Sequence, residues 1–249
     1  MNVVLGQIKN RKSVRVFEDR LIEPEIKKEI INAAFEAPTA GAMMMYTILD
    51  ITDETLKEKL SVTCDNQPFI AKAPMVLIFL ADYQRWYDTF CFAGCQPRTP
   101  REGDLLLACA DAIVAAQNTV VAAESLGVGS CYIGDILENC ETVRNMLELP
   151  DYVVPIAMVV YGYPTQDQKD RKKPERFDPE YIVHENKYRR LNEEEHMEMH
   201  RGRREKSGFT DKNIHEDIKA FCNRKYMSDF SLEMNRSAAE YLKMFASKE

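Results

Sequence analysis

The sequence has no surplus of positive charge. Its 33 Lys and Arg face 40 Asp and Glu, a net charge of −7, which removes the electrostatic basis for non-specific nucleic-acid binding. Any anion site must be a local patch. No apolar run at the start resembles a secretory leader, and no stretch reaches the ~18 uncharged apolar residues of a membrane span. Nor is there a disulfide framework. The 7 cysteines (Cys64, Cys91, Cys95, Cys109, Cys131, Cys140, Cys222) are odd in number and scattered among apolar segments, as expected of buried thiols in a reducing cytosol. These readings predict a cytoplasmic protein with neither nucleic acid nor membrane as partner.

Several reaction classes lack their residues. No Gly-x-Ser-x-Gly elbow and no Walker loop occurs, so hydrolase and phosphoryl-transfer chemistries have nothing to stand on. Cys91-Phe-Ala-Gly-Cys95 has a three-residue gap and no second pair, unlike zinc or iron–sulfur spacings. His196-Met-Glu-Met-His200 sets two imidazoles one helical turn apart, but the zincin order and a third ligand are missing, so an exposed helix and no metal are expected. Gly127-Val-Gly129 to Gly134 follows a helix and enters a strand. A dinucleotide fingerprint needs the opposite order, so the Rossmann reading fails. Gly127 reads instead as a helix C-cap. Gly134 ends an apolar strand, where a missing side chain lets a flat ligand approach the backbone.

What is present is a chain of 249 residues, 45% apolar and 29% charged, an ordinary globular composition in one large domain. Apolar spacing predicts a helix over Pro24–Ala37 and strands over Tyr46–Ile51 and Met75–Ala81, the second central in its sheet. Asp104–Leu126 reads as a helix apolar almost all round, which requires burial by its own fold or by a second subunit. A strand at Ser130–Ile133, a helix at Glu141–Leu147 and a strand at Val153–Tyr161 follow. The class is α+β. After Tyr188 the composition turns to charge, with helices near Glu193–His200, Asn213–Cys222 and Leu232–Phe245. Residues 189–249 have too thin an apolar face to fold alone, so they are expected to belong to the domain of residues 1–188 and to wrap that core or a partner subunit.

The most informative residues are Arg11-Lys12-Ser13-Val14-Arg15. In an extended backbone Arg11, Ser13 and Arg15 project together, while Lys12 and Val14 point away. Two guanidinium forks and a hydroxyl suit a phosphate or an anionic ring. A second cationic run, Lys169 to Arg176, follows the last core strand. A third, Arg201 to Lys206, reads as a solvated loop or a nucleotide-phosphate contact.

Arg11-x-Ser13-x-Arg15, Pro38-Thr-Ala-Gly before a strand, Gln67 in Asp-Asn-Gln, Ala116 through Gly134, and Ile182-Val-His-Glu-Asn-Lys-Tyr188 occur in this order. Together they resemble the nitroreductase family, and within it the oxygen-insensitive NADPH nitroreductase and flavin reductase branch with a long C-terminal extension. The resemblance implies a nitroreductase-like fold: a central mixed β-sheet flanked by helices, a long buried central helix and a C-terminal helical extension. It further implies a homodimer with FMN at the subunit interface and ping-pong hydride transfer, from NAD(P)H to flavin N5 and then to a nitroaromatic, quinone or flavin. By position Arg11, Lys12, Ser13 and Arg15 would hold the FMN phosphate and pyrimidine edge, and Gln67 the ring or ribityl chain. Tyr132, Ile133, Gly134 and Asp135 would line the isoalloxazine and its N5 side. Lys173 and Arg176 match phosphate-binding residues with one residue inserted between them, and Arg201 matches the NADPH-binding arginine of the branch. No acid–base catalytic residue is required, because hydride transfer is the cofactor's chemistry.

Two departures stand out. Ala42 and Met44 replace an Asn and a Gln, and Asp135 replaces a glycine, bringing a carboxylate to the N5 region. A same-fold protein that stores or senses flavin with little turnover, and a same-fold enzyme of another reaction such as dehalogenation or flavin breakdown, are the alternatives.

Overall fold

The computed structural model describes residues 2–209 and 213–246. Contacts divide the chain into two compact units, residues 1–171 with 233–249, and residues 172–232. In chain order the first unit contains helix α1 (Val3–Asn10), α2 (Pro24–Phe35), strand β1 (Tyr46–Asp50), α3 (Glu54–Thr63), β2 (Met75–Asp82), α4 (Gln84–Phe92), α5 (Glu102–Ser125), β3 (Gly129–Ile133), α6 (Cys140–Leu147), β4 (Val153–Gly162) and α7 (Gln166–Asp170). The second unit contains α8 (Glu193–Lys206) and α9 (Ile214–Phe221). The last helix, α10 (Asp229–Lys243), begins in the second unit and returns to the first at Glu233.

Local chemistry explains the helix starts. The Asn2 side chain accepts the amides of Val4 and Leu5 at 3.0 and 3.4 Å, and that of Asp53 accepts Leu56 N at 2.7 Å, each satisfying amides that a helix leaves orphaned. Pro24 opens α2, where its missing N–H costs nothing. The Asn192 and Glu195 side chains cap each other's amides at the start of α8, at 3.0 and 2.8 Å.

The sheet has the order β1-β2-β4-β3, and every adjacent pair is antiparallel. The expected mixed character reduces to one parallel bridge between Ser13 and Ser130. All eight residues of β2 are buried because both sheet faces are covered, which is why it reads as an uninterrupted apolar run. Alternation sends Leu77 and Phe79 into one core with Ile30 and Ala34 of α2 and Ala112, Ala116 and Val120 of α5. Val76, Ile78 and Leu80 enter the other core, with Leu60 of α3 and Val143 of α6. The unit is thus a helix–sheet–helix sandwich. In a third cluster Tyr241 and Phe245, at the chain's end, are buried with Met45, Leu105 and Val154.

The expectation for the central helix needs refinement. One stripe of α5 (Leu105, Ala108, Ala112, Ala115, Thr119, Ala123) is buried, but Leu106, Leu107, Ile113 and Val114 are exposed in the single chain. By length and composition α5 is long and apolar enough to cross a membrane, although Asp104 and Asp111 within it keep it from being an uncharged run. Its buried stripe instead packs on β2 and β4.

Candidate functional site

The segment after α1 is extended and lies along the edge of β3. Val14 N donates to Ser130 O at 2.9 Å, and Glu18 N to Tyr163 O at 2.8 Å. Two glycines allow this close approach. A Cβ on Gly129 would stand 2.6 Å from Val14 Cγ2, and one on Gly162 would stand 2.6 Å from Phe17 Cδ1. With Val14 turned into the protein, alternation turns Arg11, Ser13 and Arg15 the other way, and all three lie near enough to the Cys131 thiol to act on it. Burial raises that thiol's pKa, and the neighbouring cations and Ser13 oppose the rise. Arg11 Nη1 is buried and has no hydrogen-bond partner among the described residues. Lys12 does not join this face: its Nζ donates to the backbone carbonyls of Lys169, at 2.5 Å, and Arg171. Arg171 in turn donates to Ser13 O.

At the end of β3 the residues expected to meet the flat ring come together. Ile133 is buried, Tyr132 is half-buried, and a Cβ on Gly134 would meet no atom within 4 Å. The chain therefore leaves open space in front of Gly134. Burial pushes the Tyr132 phenol up to about 12, against the pull of Arg11. Beyond Gly134, Asp135 accepts Gln67 Nε2 at 2.9 Å. The same nitrogen donates to Cys64 O at 2.9 Å. Glu138 follows within the turn, buried against Asp135. Burial, and then the charge of Asp135, push its carboxyl up to about 7.

The loop from Thr39 to Met45, leading into β1, is held by one buried carboxylate. Asp111 of α5 accepts Ala40 N at 3.0 Å and Met45 N at 3.1 Å, together with the Thr39 hydroxyl. The loop needs this anchorage, because Ala42 and Met44 have φ of 57° and 50°, where a residue with a Cβ is strained by ~1–3 kcal/mol.

The other expected residues lie in the second unit. Lys173 and Arg176 are in an irregular segment, and Arg201 is exposed on α8. Arg203, two residues on, stacks over Phe177 at 4.1 Å, and the His200 ring meets the same Phe edge-on at 5.1 Å. Burial lowers the His200 pKa. Among the described residues no group of three or more His, Cys, Asp or Glu is arranged to hold a metal ion.

Residues 8–163 match the model of the nitroreductase family. The chain belongs to that family. An NADPH-dependent oxidoreductase of Staphylococcus aureus (strain bovine RF122 / ET3-1) is 30% identical over 198 residues, which cover 79% of this chain and 78% of that protein. The NfrA1 nitroreductase from B. subtilis superposes with a TM-score of 0.77 at 29% identity, covering 93% of this chain and 98% of that one. A putative oxidoreductase from Bacteroides fragilis gives a TM-score of 0.84 at 26% identity over 96% and 98%. The α+β nitroreductase fold is therefore shared along nearly the whole chain.

Three contributors escaped the sequence reading. Arg171 sits inside the cationic run from Lys169 to Arg176, but only the fold shows that it donates to Ser13 O. Glu138 had no signal of its own, because its burial depends on the turn after β3. Asp111 lies within the helix read as apolar almost all round. A lone carboxylate in such a run was the available signal.

Proposed function

We propose that the chain is an FMN-dependent NAD(P)H oxidoreductase. The carrying observation is the orphaned, buried Arg11 Nη1, grouped with Ser13 and Arg15 around Cys131 of the strand whose end, at Gly134, faces open space. An unpartnered guanidinium nitrogen is costly unless an acceptor meets it, and an anionic ligand with a flat ring answers both features. When bound, FMN supplies the redox chemistry, carrying a hydride from NAD(P)H to a nitroaromatic, quinone or flavin acceptor.

The chain's own work is binding and orientation. Arg11, Ser13 and Arg15 hold the phosphate and the pyrimidine edge, and Lys12 acts indirectly by pinning the 169–171 backbone beside them. Gln67 meets the ring or ribityl chain, and Tyr132, Ile133, Gly134 and Asp135 form the seat. Lys173 and Arg176 add cationic charge for the phosphate, and Arg201 meets the nicotinamide nucleotide. A second copy of the chain covers the exposed face of α5, making a homodimer.

Titration of flavin-free protein with FMN and with riboflavin tests the reading. FMN binds more tightly, and Arg11→Ala weakens FMN by ~1.5–3 kcal/mol, the size of a charged hydrogen bond. Protein that takes up neither flavin contradicts it.

A further inference from the structure

Gln67 has two amide protons and one carbonyl oxygen to offer. Its Nε2 faces two acceptors, the Cys64 carbonyl and the Asp135 carboxylate, both at 2.9 Å, which fixes the orientation of the amide and uses both protons inward. Only Oε1 is left for a ligand. The residue that holds the amide this way is itself held by a second carboxyl group: Glu138 is 4% exposed, its N–H donates to Asp135 O at 3.0 Å, and its side chain lies within hydrogen-bond reach of Asp135. Its Oε1 is buried and has no partner among the described residues. Two adjacent carboxylates, one of them buried, repel each other unless a proton lies between them.

We propose that Glu138 carries a proton directed at Asp135 and that the two act as a positioning pair, locking Gln67 with its carbonyl oxygen toward the ligand and making the site select a hydrogen-bond donor there. On the flavin reading, on which this inference rests, that donor is the ring N3–H or a ribityl hydroxyl. Flavin binding is then coupled to a proton held by the protein.

The surrounding charges agree with a proton on Glu138. Asp65 after α3 and Glu233 of α10 add negative charge at Glu138, beside Asp135. Glu233 stays ionised, held down to about 2 by Arg236 and Ser237. Arg236 is engaged by Glu141 and Glu233, at 2.8 Å each. The nearby Cys64 thiol is raised to about 12 by burial and by Asp135, so it remains neutral. Burial and these neighbouring carboxylates push the Glu138 carboxyl up to about 7.

The test uses flavin-free protein first. In nitrogen-15 spectra the Gln67 side-chain amide resonances are expected to move with pH, with a midpoint near that of Glu138, and to stand still in Glu138→Gln, whose neutral amide stands in for the protonated carboxyl. Riboflavin affinity is then measured, because riboflavin lacks the phosphate that titrates in FMN. In the wild type it is expected to weaken two- to tenfold above the midpoint, the worth of about one hydrogen bond, and in Glu138→Gln to stay flat. Resonances of Gln67 that ignore pH in the wild type, or that titrate equally in Glu138→Gln, overturn the proposal. If the protein binds no flavin at any pH, the function proposed above fails, while the amide titration still decides the carboxyl pair.

Discussion

Single residues decide whether the site is preformed. Asp111 is 5% exposed and accepts three donors from a loop with strained φ at two positions. Asp111→Ala leaves those donors without a partner, so it should cost ~3 kcal/mol or more of unfolding free energy, read by urea denaturation, at ~1–3 kcal/mol for each buried orphan. A loss below ~1 kcal/mol would mean that water replaces the carboxylate. Arg11 is the opposite case. Its buried nitrogen has no protein partner among the described residues, so the alanine change should cost ligand affinity without lowering the stability of the flavin-free protein. The alternation that groups Arg11, Ser13 and Arg15 was legible from sequence, because an extended backbone allows only two faces. The fate of Lys12 was not, since its partners are carbonyls about 160 positions away.

At the scale of elements, the legible parts were those with strong patterns. β2, β4, α2 and α5 fall within a few residues of their predicted ranges, because an uninterrupted apolar run or a helical stripe reflects burial on a packed sheet. α3 and α4 were missed. α3 buries only Lys57, Leu60 and Ser61, too little apolar surface to show a stripe, although Asp53 followed by Leu56 carried a readable capping signal. α4 is aromatic and polar and buries no residue, so it has no apolar stripe to read. The site depends most on the contact between the 13–17 segment and β3, which exists because position 129 has no side chain. Gly129→Ala should push Val14 away and weaken FMN binding as a remote change, while adding Val14→Ala restores much of the affinity. Equal binding by Gly129→Ala and wild type would show that the segment's position is unimportant to the ligand.

For the whole molecule, the open issue in the single chain is the apolar face of α5. Leu106 is 70% exposed and Leu107 51%, and α1, which packs beside α5, exposes Val3, Val4, Leu5 and Ile8. Contiguous apolar surface of this kind marks an interface. Leu106→Arg should shift the protein from dimer to monomer by sedimentation velocity and reduce bound flavin with it; a wild-type monomer would remove the dimer from the account. The extent of this face was only half legible, because a helix apolar all round does not say which neighbour covers which side. The central claim is that the chain binds FMN in order to pass electrons. It is tested most directly by mixing flavin-loaded protein with NADPH without oxygen and following the flavin absorbance in a stopped-flow instrument. The account predicts bleaching at about 1 s⁻¹ or faster, the lower range of ordinary enzyme turnover, and return of the colour when a quinone is added. Tightly bound flavin that NADPH leaves oxidised would contradict it and favour a flavin-storing protein.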